Sequence, residues 1–236
     1  MKDRESRIVV VCALREELAA IKRGLGKDSS HFEVLQAGIG AQRAANVAKQ
    51  LSERTTAPRV VISTGFCGGL SEGLQVGEVV VGSKIVRAGP PELNSGQELA
   101  QKIYDALSRA GLRVCQGRML CSETAVATST KKRSLGKEFS AHAVDMESYA
   151  LAENLPRETR VIFVRAVSDT VDDELPPGVC EFLDENGRPR LKKITGFIFR
   201  KPGNVKTLIG LGKRASIAAK ALGAAWKELR EFDWAR

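Results

Sequence analysis

The sequence predicts one α/β domain in which buried strands alternate with amphipathic helices. The continuous apolar, β-branched run 7–14 (RIVVVCAL) is a strand covered on both faces, because a half-wet strand would alternate polar and apolar residues, and 159–169 (TRVIFVRAVSD) is a strongly β-branched strand whose last residues are polar. Between such runs lie segments whose apolar residues recur at helical spacing. Aromatics make up only 5% of the 236 residues, which suits a parallel sheet under helices better than a β-sandwich.

The elements follow in chain order. Strand 7–14 leads into a helix, EELAAIKRGL, that stops at Gly24 and Gly26. FEVLQAG (32–38) is a second strand ended by GIG, and AQRAANVAKQLSE (41–53) is a helix with Ala44, Val47, Ala48 and Leu51 on one face. RVVISTG (59–65) is a third strand running into the small-residue turn GFCGG; 76–88 is one long strand or a strand pair. Residues 97–111 form a helix capped by Gly111, 113–123 read as strand and 142–155 as helix. After the strand at 159–169 the pattern loosens beyond Pro176–Pro177, with turns at NGRP and KPGN, before a long Ala-rich helix over 205–229. The division is thus a body, 1–185, and a basic C-terminal arm, 186–236, packed on the same domain.

Composition excludes several classes. Apolar residues at 43% and charged residues at 28% are ordinary for a soluble chain, and no stretch approaches the ~20 apolar residues that span a bilayer. Five scattered cysteines without a CxxC pair point to a reducing, cytoplasmic setting rather than a disulfide framework. Two histidines are too few for a His-rich metal site or a Ser-His-Asp triad, so no metal and no resident cofactor is expected. The charge of +9 is concentrated: residues 186–236 hold 13 Lys/Arg and 3 Asp/Glu, whereas 1–185 hold 24 and 25. The arm interleaves ITGFIF and VKTLIGLG with Lys192, Lys193, Arg200, Lys201, Lys206, Lys213 and Arg214, a pattern that can lie on anionic lipid at the inner face of a membrane. A solvated basic face is the plainer alternative. The arm has no aromatics placed for base stacking, and nucleic acid is not expected as a partner.

Ligands of such sheets sit at the carboxyl ends of strands. Glu16 and Glu17 after the first strand, Asp145 and Glu147 at a helix start, and Asp169 closing VRAVSD all fall there, as do the turns GIG (38–40) and GFCGG (65–69). A nicotinamide fold fails because Arg43 stands where GxGxxG needs its third Gly.

In this order the pieces ALREEL (13–18), AGIG…AA (37–45), TGFCGGL…LQVGEVVV (64–81), VDMES.ALA (144–152) and VRAVSDTVDD (164–173) resemble the purine nucleoside phosphorylase/methylthioadenosine nucleosidase superfamily. The resemblance implies a central twisted, mixed sheet flanked by helices, assembly as homodimers or larger homo-oligomers, and an enzyme that cleaves a purine nucleoside at its N-glycosidic bond. Such cleavage passes through an oxocarbenium-like sugar and a leaving base that needs a proton, so a buried acid is required. By resemblance Asp169 is that acid and Glu17 positions the attacking water. Met146 and Glu147 hold the ribose, and Gly65, Phe66, Cys67, Gly68 and Ser168 contact base or sugar. Read locally, Asp169 could equally cap a turn and Glu147 could be a helix first-turn acid.

Departures bear on the reaction type. Superfamily phosphorylases carry an Arg just before the GFCGG-like turn, where this chain has Ser63, and their GDP…R loop is replaced by ALREE. Phosphate as co-substrate would have to use Arg15, Arg43 or Arg87. The aromatic and His-containing substrate loop of methylthioadenosine nucleosidases is here VRAGPPELNSG, shorter and without aromatics. ELPPGV, NGRPRLKK and RKPGNVKTLIGL resemble, more loosely, the hopanoid-associated phosphorylase branch, which implies phosphorolysis of a lipid-linked, adenosylhopane-like nucleoside as an alternative reading; a non-catalytic nucleoside-binding protein is another.

Overall fold

The computed structural model describes residues 8–27, 30–94, 96–176, 178–184, 190–200 and 204–234. Strand β1 (Ile8–Cys12) is parallel to β2 (Phe32–Gln36) on one side and to β3 (Val60–Gly69) on the other. β3 in turn runs parallel to β8 (Arg160–Asp169), which lies antiparallel to β4 (Val79–Arg87). β4 is parallel to β6 (Val114–Cys121), β6 to the short β7 (Ala143–Asp145), and β7 closes antiparallel onto the far end of β3. The five strands β3, β8, β4, β6 and β7 therefore form a closed circuit of pairings, with β1 and β2 continuing the sheet beyond β3. At the opposite edge β5 (Gly89–Asn94) is antiparallel to β4. The mixed α/β architecture with helices on both sides is as the sequence predicts.

The helices divide between the faces. On one side α1 (Arg15–Leu25), α3 (Gln97–Arg109) and the long α7 (Asn204–Arg230) cover a core that includes Val10, Cys12, Ile62 and Val164. On the other, α2 (Ala41–Ser52) and α5 (Ser148–Glu153) cover Val9, Val11, Val61 and Phe163. The alternation Val9/Val10/Val11 across the two cores is the pleat expected of a strand buried on both faces. α7 is integral to the domain through its C-terminal half. Trp226 is fully buried and donates its indole N–H to Thr64 Oγ1 at 3.0 Å, and Ala218, Leu222, Ala225 and Leu229 are equally buried. Its crossing with α1 is close: a Cβ on Gly24 would stand 2.4 Å from the Gly223 carbonyl oxygen. Any larger residue there would force the helices apart.

Several segments differ from the sequence reading, among them β5, which lies where no element was expected. β3 does not end at residue 65 but continues to Gly69 through the expected turn, pairing with β8 across a register shift at Cys67/Gly68. The helix expected over 142–155 is a three-residue strand, β7, followed by the short α5. Residues 129–138, left without an element, form helix α4 (Ser129–Glu138), whose Thr128 side chain accepts the Lys131 backbone N–H. Within the stretch read as turns, 191–200 is a helix, α6 (Leu191–Arg200). The turns expected at Asn186–Pro189 and Lys201–Gly203 lie outside the described residues. No helix among the described residues is long and apolar enough to cross a membrane.

Candidate active site

A cavity of about 220 Å³ opens where β1, β3, β7 and β8 end. It brings Glu17, Phe66, Cys67, Gly68, Met146, Glu147, Ser168 and Asp169 to one wall, and Gly65 stands directly behind Glu17. These residues come from four parts of the chain, and each is placed by a local feature.

Glu17 is the third residue of α1, and its carboxylate turns back over the helix start. Oε2 accepts the Ala13 and Leu14 backbone N–H groups at 2.8 Å each, and Oε1 accepts the Phe66 N–H at 2.8 Å. The two strand ends are thereby tied together through one side chain. Gly65 makes this possible: its φ is +143°, and a Cβ there would lie 2.5 Å from Glu17 Oε1. Burial pushes the Glu17 carboxyl above its ordinary range, opposed by the Arg165 charge and the three amides. Its neighbour Glu16 is exposed, as a solvated first-turn acid should be.

Glu147 precedes α5 and accepts the Gly40 backbone N–H at 2.8 Å, so the GIG turn presents an amide to the site. Its carboxyl is pushed up to about 7, first by burial and then by the nearby Asp145 charge, with Arg165 acting in the opposite sense. Asp145 does the capping work instead: its carboxylate accepts the Ser148 N–H and Oγ–H. Met146 lines the cavity beside Cys180, sulfur to sulfur 3.9 Å. Cys67 is fully buried with its thiol held well above the ordinary range, which leaves it a wall residue and not a nucleophile.

Two buried cations complete the site, and the sequence reading assigned neither. Arg165, in the middle of β8, reaches Asp145 Oδ2 at 2.5 Å and donates to Ser63 Oγ at 2.7 Å and Ser148 Oγ at 3.1 Å. Its Nε is buried without a hydrogen-bond partner among the described residues. Ser63, where a superfamily phosphorylase would carry Arg, is therefore a ligand of Arg165. Lys132, from α4, is fully buried and ion-paired to Asp169 Oδ1; its other protons go to the carbonyls of Thr170 at 2.7 Å and Asp173 at 2.8 Å. The second oxygen of Asp169 accepts from Ser168 Oγ at 2.8 Å. Arg165 had a signal, since a charge inside an apolar strand must be paired when buried. Lys132 had none, because its partner is 37 residues away.

Three buried carboxylates, Glu17, Asp145 and Asp169, and the half-buried Glu147 thus meet two buried cations. Among the described residues no Lys or Arg lines the cavity itself. The three arginines suggested for phosphate are not gathered there. Arg15 is exposed at the start of α1, Arg43 is half-buried on α2, and Arg87 is ion-paired to Glu153 and stacked over Tyr149 beside a different cavity. Among the described residues no group of three His, Cys, Asp or Glu is arranged to hold a metal ion.

The fold and the buried carboxylates are those of an α/β enzyme, and comparison with known proteins gives its class. The family model of the phosphorylase superfamily matches residues 7–195, and the chain belongs to that superfamily. The 5′-methylthioadenosine/S-adenosylhomocysteine nucleosidase of Glaesserella parasuis is 28% identical over 186 residues, covering 71% of this chain and 80% of that protein. The structure of the same-named nucleosidase of Neisseria meningitidis, bound to methylthio-immucillin-A, superposes with a TM-score of 0.68 at 22% identity over 94% of this chain and 99% of that one. Futalosine hydrolase of Helicobacter pylori gives a TM-score of 0.68 at 16% identity, covering 94% and 97%.

Proposed function

We propose that this chain hydrolyses the N-glycosidic bond of an adenine-type nucleoside, with water as the attacking group. The observation that carries this reading is the sign of the site. Breaking the bond builds positive charge on the sugar. A buried wall of carboxylates with no lining Lys or Arg stabilises that cation and would repel a phosphate dianion. The names of the curated relatives, which are nucleosidases, support the same class of reaction and an adenine leaving group.

The roles follow from position. Glu17 has three amide donors across its two oxygens and keeps acceptor capacity toward the cavity, where it orients a water and takes its proton. Glu147 accepts a ribose hydroxyl beside the Met146 thioether, which packs on the sugar. Asp169 takes up a proton from solvent before each turnover and passes it to the departing base, and the Lys132 ammonium on Oδ1 stabilises the carboxylate that remains. Arg165 holds Asp145 and moderates the mutual repulsion of the carboxylates. The assembly proposed with this reading is a homodimer or larger homo-oligomer.

A second reading keeps the same residues and changes the cargo. Leu14, Ile39, Val179, Leu183 and Leu211 line the cavity with hydrocarbon, which favours an apolar 5′ substituent and admits a lipid-linked nucleoside. The test is chromatographic: adenine release from methylthioadenosine and adenosylhomocysteine, with and without phosphate. Release in phosphate-free buffer is expected. Release only when phosphate is added would overturn the hydrolytic reading.

A further inference from the structure

All five exposed large hydrophobic side chains among the described residues lie on the C-terminal arm. They are Leu191 (71% exposed), Phe199 (86%), Val205 (39%), Ile209 (53%) and Ile217 (48%). Nothing else on the described surface has this character. The sequence around them is equally one-sided, since residues 186–227 contain 11 Lys/Arg and no Asp or Glu.

The placement of these residues is regular. At 3.6 residues per turn, Val205, Lys206, Ile209, Lys213, Ile217 and Lys220 fall within an arc of about 120° on α7. The opposite face is the one that carries the buried Ala218, Leu222 and Ala225. On α6, Phe197 packs against Phe182 with ring centroids 5.0 Å apart, while Leu191, Lys192, Thr195 and Phe199 are exposed. Both helices thus present apolar side chains interleaved with ammonium groups to the outside. The arm also touches the catalytic wall: Leu211 lines the cavity, and Arg214 is ion-paired to Asp173, whose carbonyl accepts from Lys132, at 3.1 Å.

We propose that the outer faces of α6 and α7 form a docking surface for an anionic lipid bilayer, a property that goes beyond the reaction assigned above. Charge complementarity selects this occupant. A second copy would bring two acid-free, strongly basic faces together, and their like charges would repel. A bilayer supplies both the anionic headgroups for the lysines and the acyl boundary for Phe199, Leu191 and Ile209. Docking would hold the cavity about one helix diameter from the membrane surface.

The experiment uses the full chain and co-sedimentation with vesicles of phosphatidylcholine alone and of phosphatidylcholine with one quarter phosphatidylglycerol. Binding is expected only to the anionic vesicles and should fall as salt rises. Each basic residue near such a surface contributes roughly a fivefold factor in partitioning, so Lys206→Gln/Lys213→Gln/Lys220→Gln should weaken binding about a hundredfold. Leu191→Ser/Phe199→Ser should weaken binding to the same vesicles with the charge unchanged. Nucleoside cleavage in free solution should persist in both variants, and that parallel assay separates failure of docking from failure of the enzymatic reading. Equal sedimentation with neutral and anionic vesicles, or no loss in the triple variant, would overturn the proposal. So would salt-sensitive RNA retention lost in the triple variant without vesicle binding, or a dimer dissociated by the serine variant.

Discussion

Glu147→Gln should raise stability, and by an amount that depends on pH. The native carboxyl titrates near 7 instead of its ordinary 4.5 because burial and Asp145 oppose its charge. A carboxyl whose pKa is higher in the folded chain binds its proton more tightly there than in the unfolded chain. Folding therefore loses stability as pH rises from about 4.5 to about 7, and the full penalty remains above that window. At 1.36 kcal/mol per pKa unit the penalty is about 3 kcal/mol. Glutamine retains an oxygen for the Gly40 N–H and carries no charge, so it removes the penalty without emptying the site. For a chain of this size 1 kcal/mol moves Tm by about 2–4 °C. The variant should then melt roughly 6–12 °C above wild type at pH 8, with the difference shrinking toward zero at pH 4. Thermal melts followed by fluorescence across that range read it directly. A residual decline with pH should survive in the variant, because burial raises Glu17 in the same direction. A Tm difference that is absent, or equal at pH 4 and pH 8, would refute the reasoning.

Asp169→Asn removes the proton donor while keeping the side-chain shape, and kcat for adenine release should fall about 10²–10⁴-fold with an unchanged circular dichroism spectrum. A loss below tenfold would remove Asp169 from its assigned role. Lys132→Met leaves the buried Asp169 carboxylate without its counter-ion and should cost about 3–5 kcal/mol of stability, measured by urea unfolding. Combining it with Asp169→Asn should return a large share of that loss, since no buried charge is then left alone; strictly additive losses would show that the pair is not coupled.

Much of the frame was legible because buried strands announce themselves. RIVVVCAL, RVVISTG and TRVIFVRAVSD each carry an unbroken apolar, β-branched stretch, and the structure places them at the centre, as β1, β3 and β8. What escaped lacked pattern. α4 is polar nearly all round, so no apolar stripe marks it, although Thr128 offered a cap. β5 is Gly-Pro-Pro-Glu-Leu-Asn at a sheet edge, where neither alternation nor β-branching is needed. β7 is three residues long, and its apolar spacing merges with that of α5 into an apparent single helix. The carboxylates at strand ends were readable from position alone. Their cations were not, because Lys132 meets Asp169 only through the packing of an element that the sequence does not advertise. Arg165 was visible within the quoted VRAVSD motif, and the pairing demand of a buried charge was the clue that would have assigned it.

The central claim is that water, not phosphate, takes the sugar from the base in a site walled by carboxylates. The most direct measurement is mass spectrometry of the sugar product formed from methylthioadenosine in ¹⁸O-labelled water with phosphate present. The account predicts a free sugar carrying one ¹⁸O atom. An unlabelled sugar 1-phosphate would contradict it.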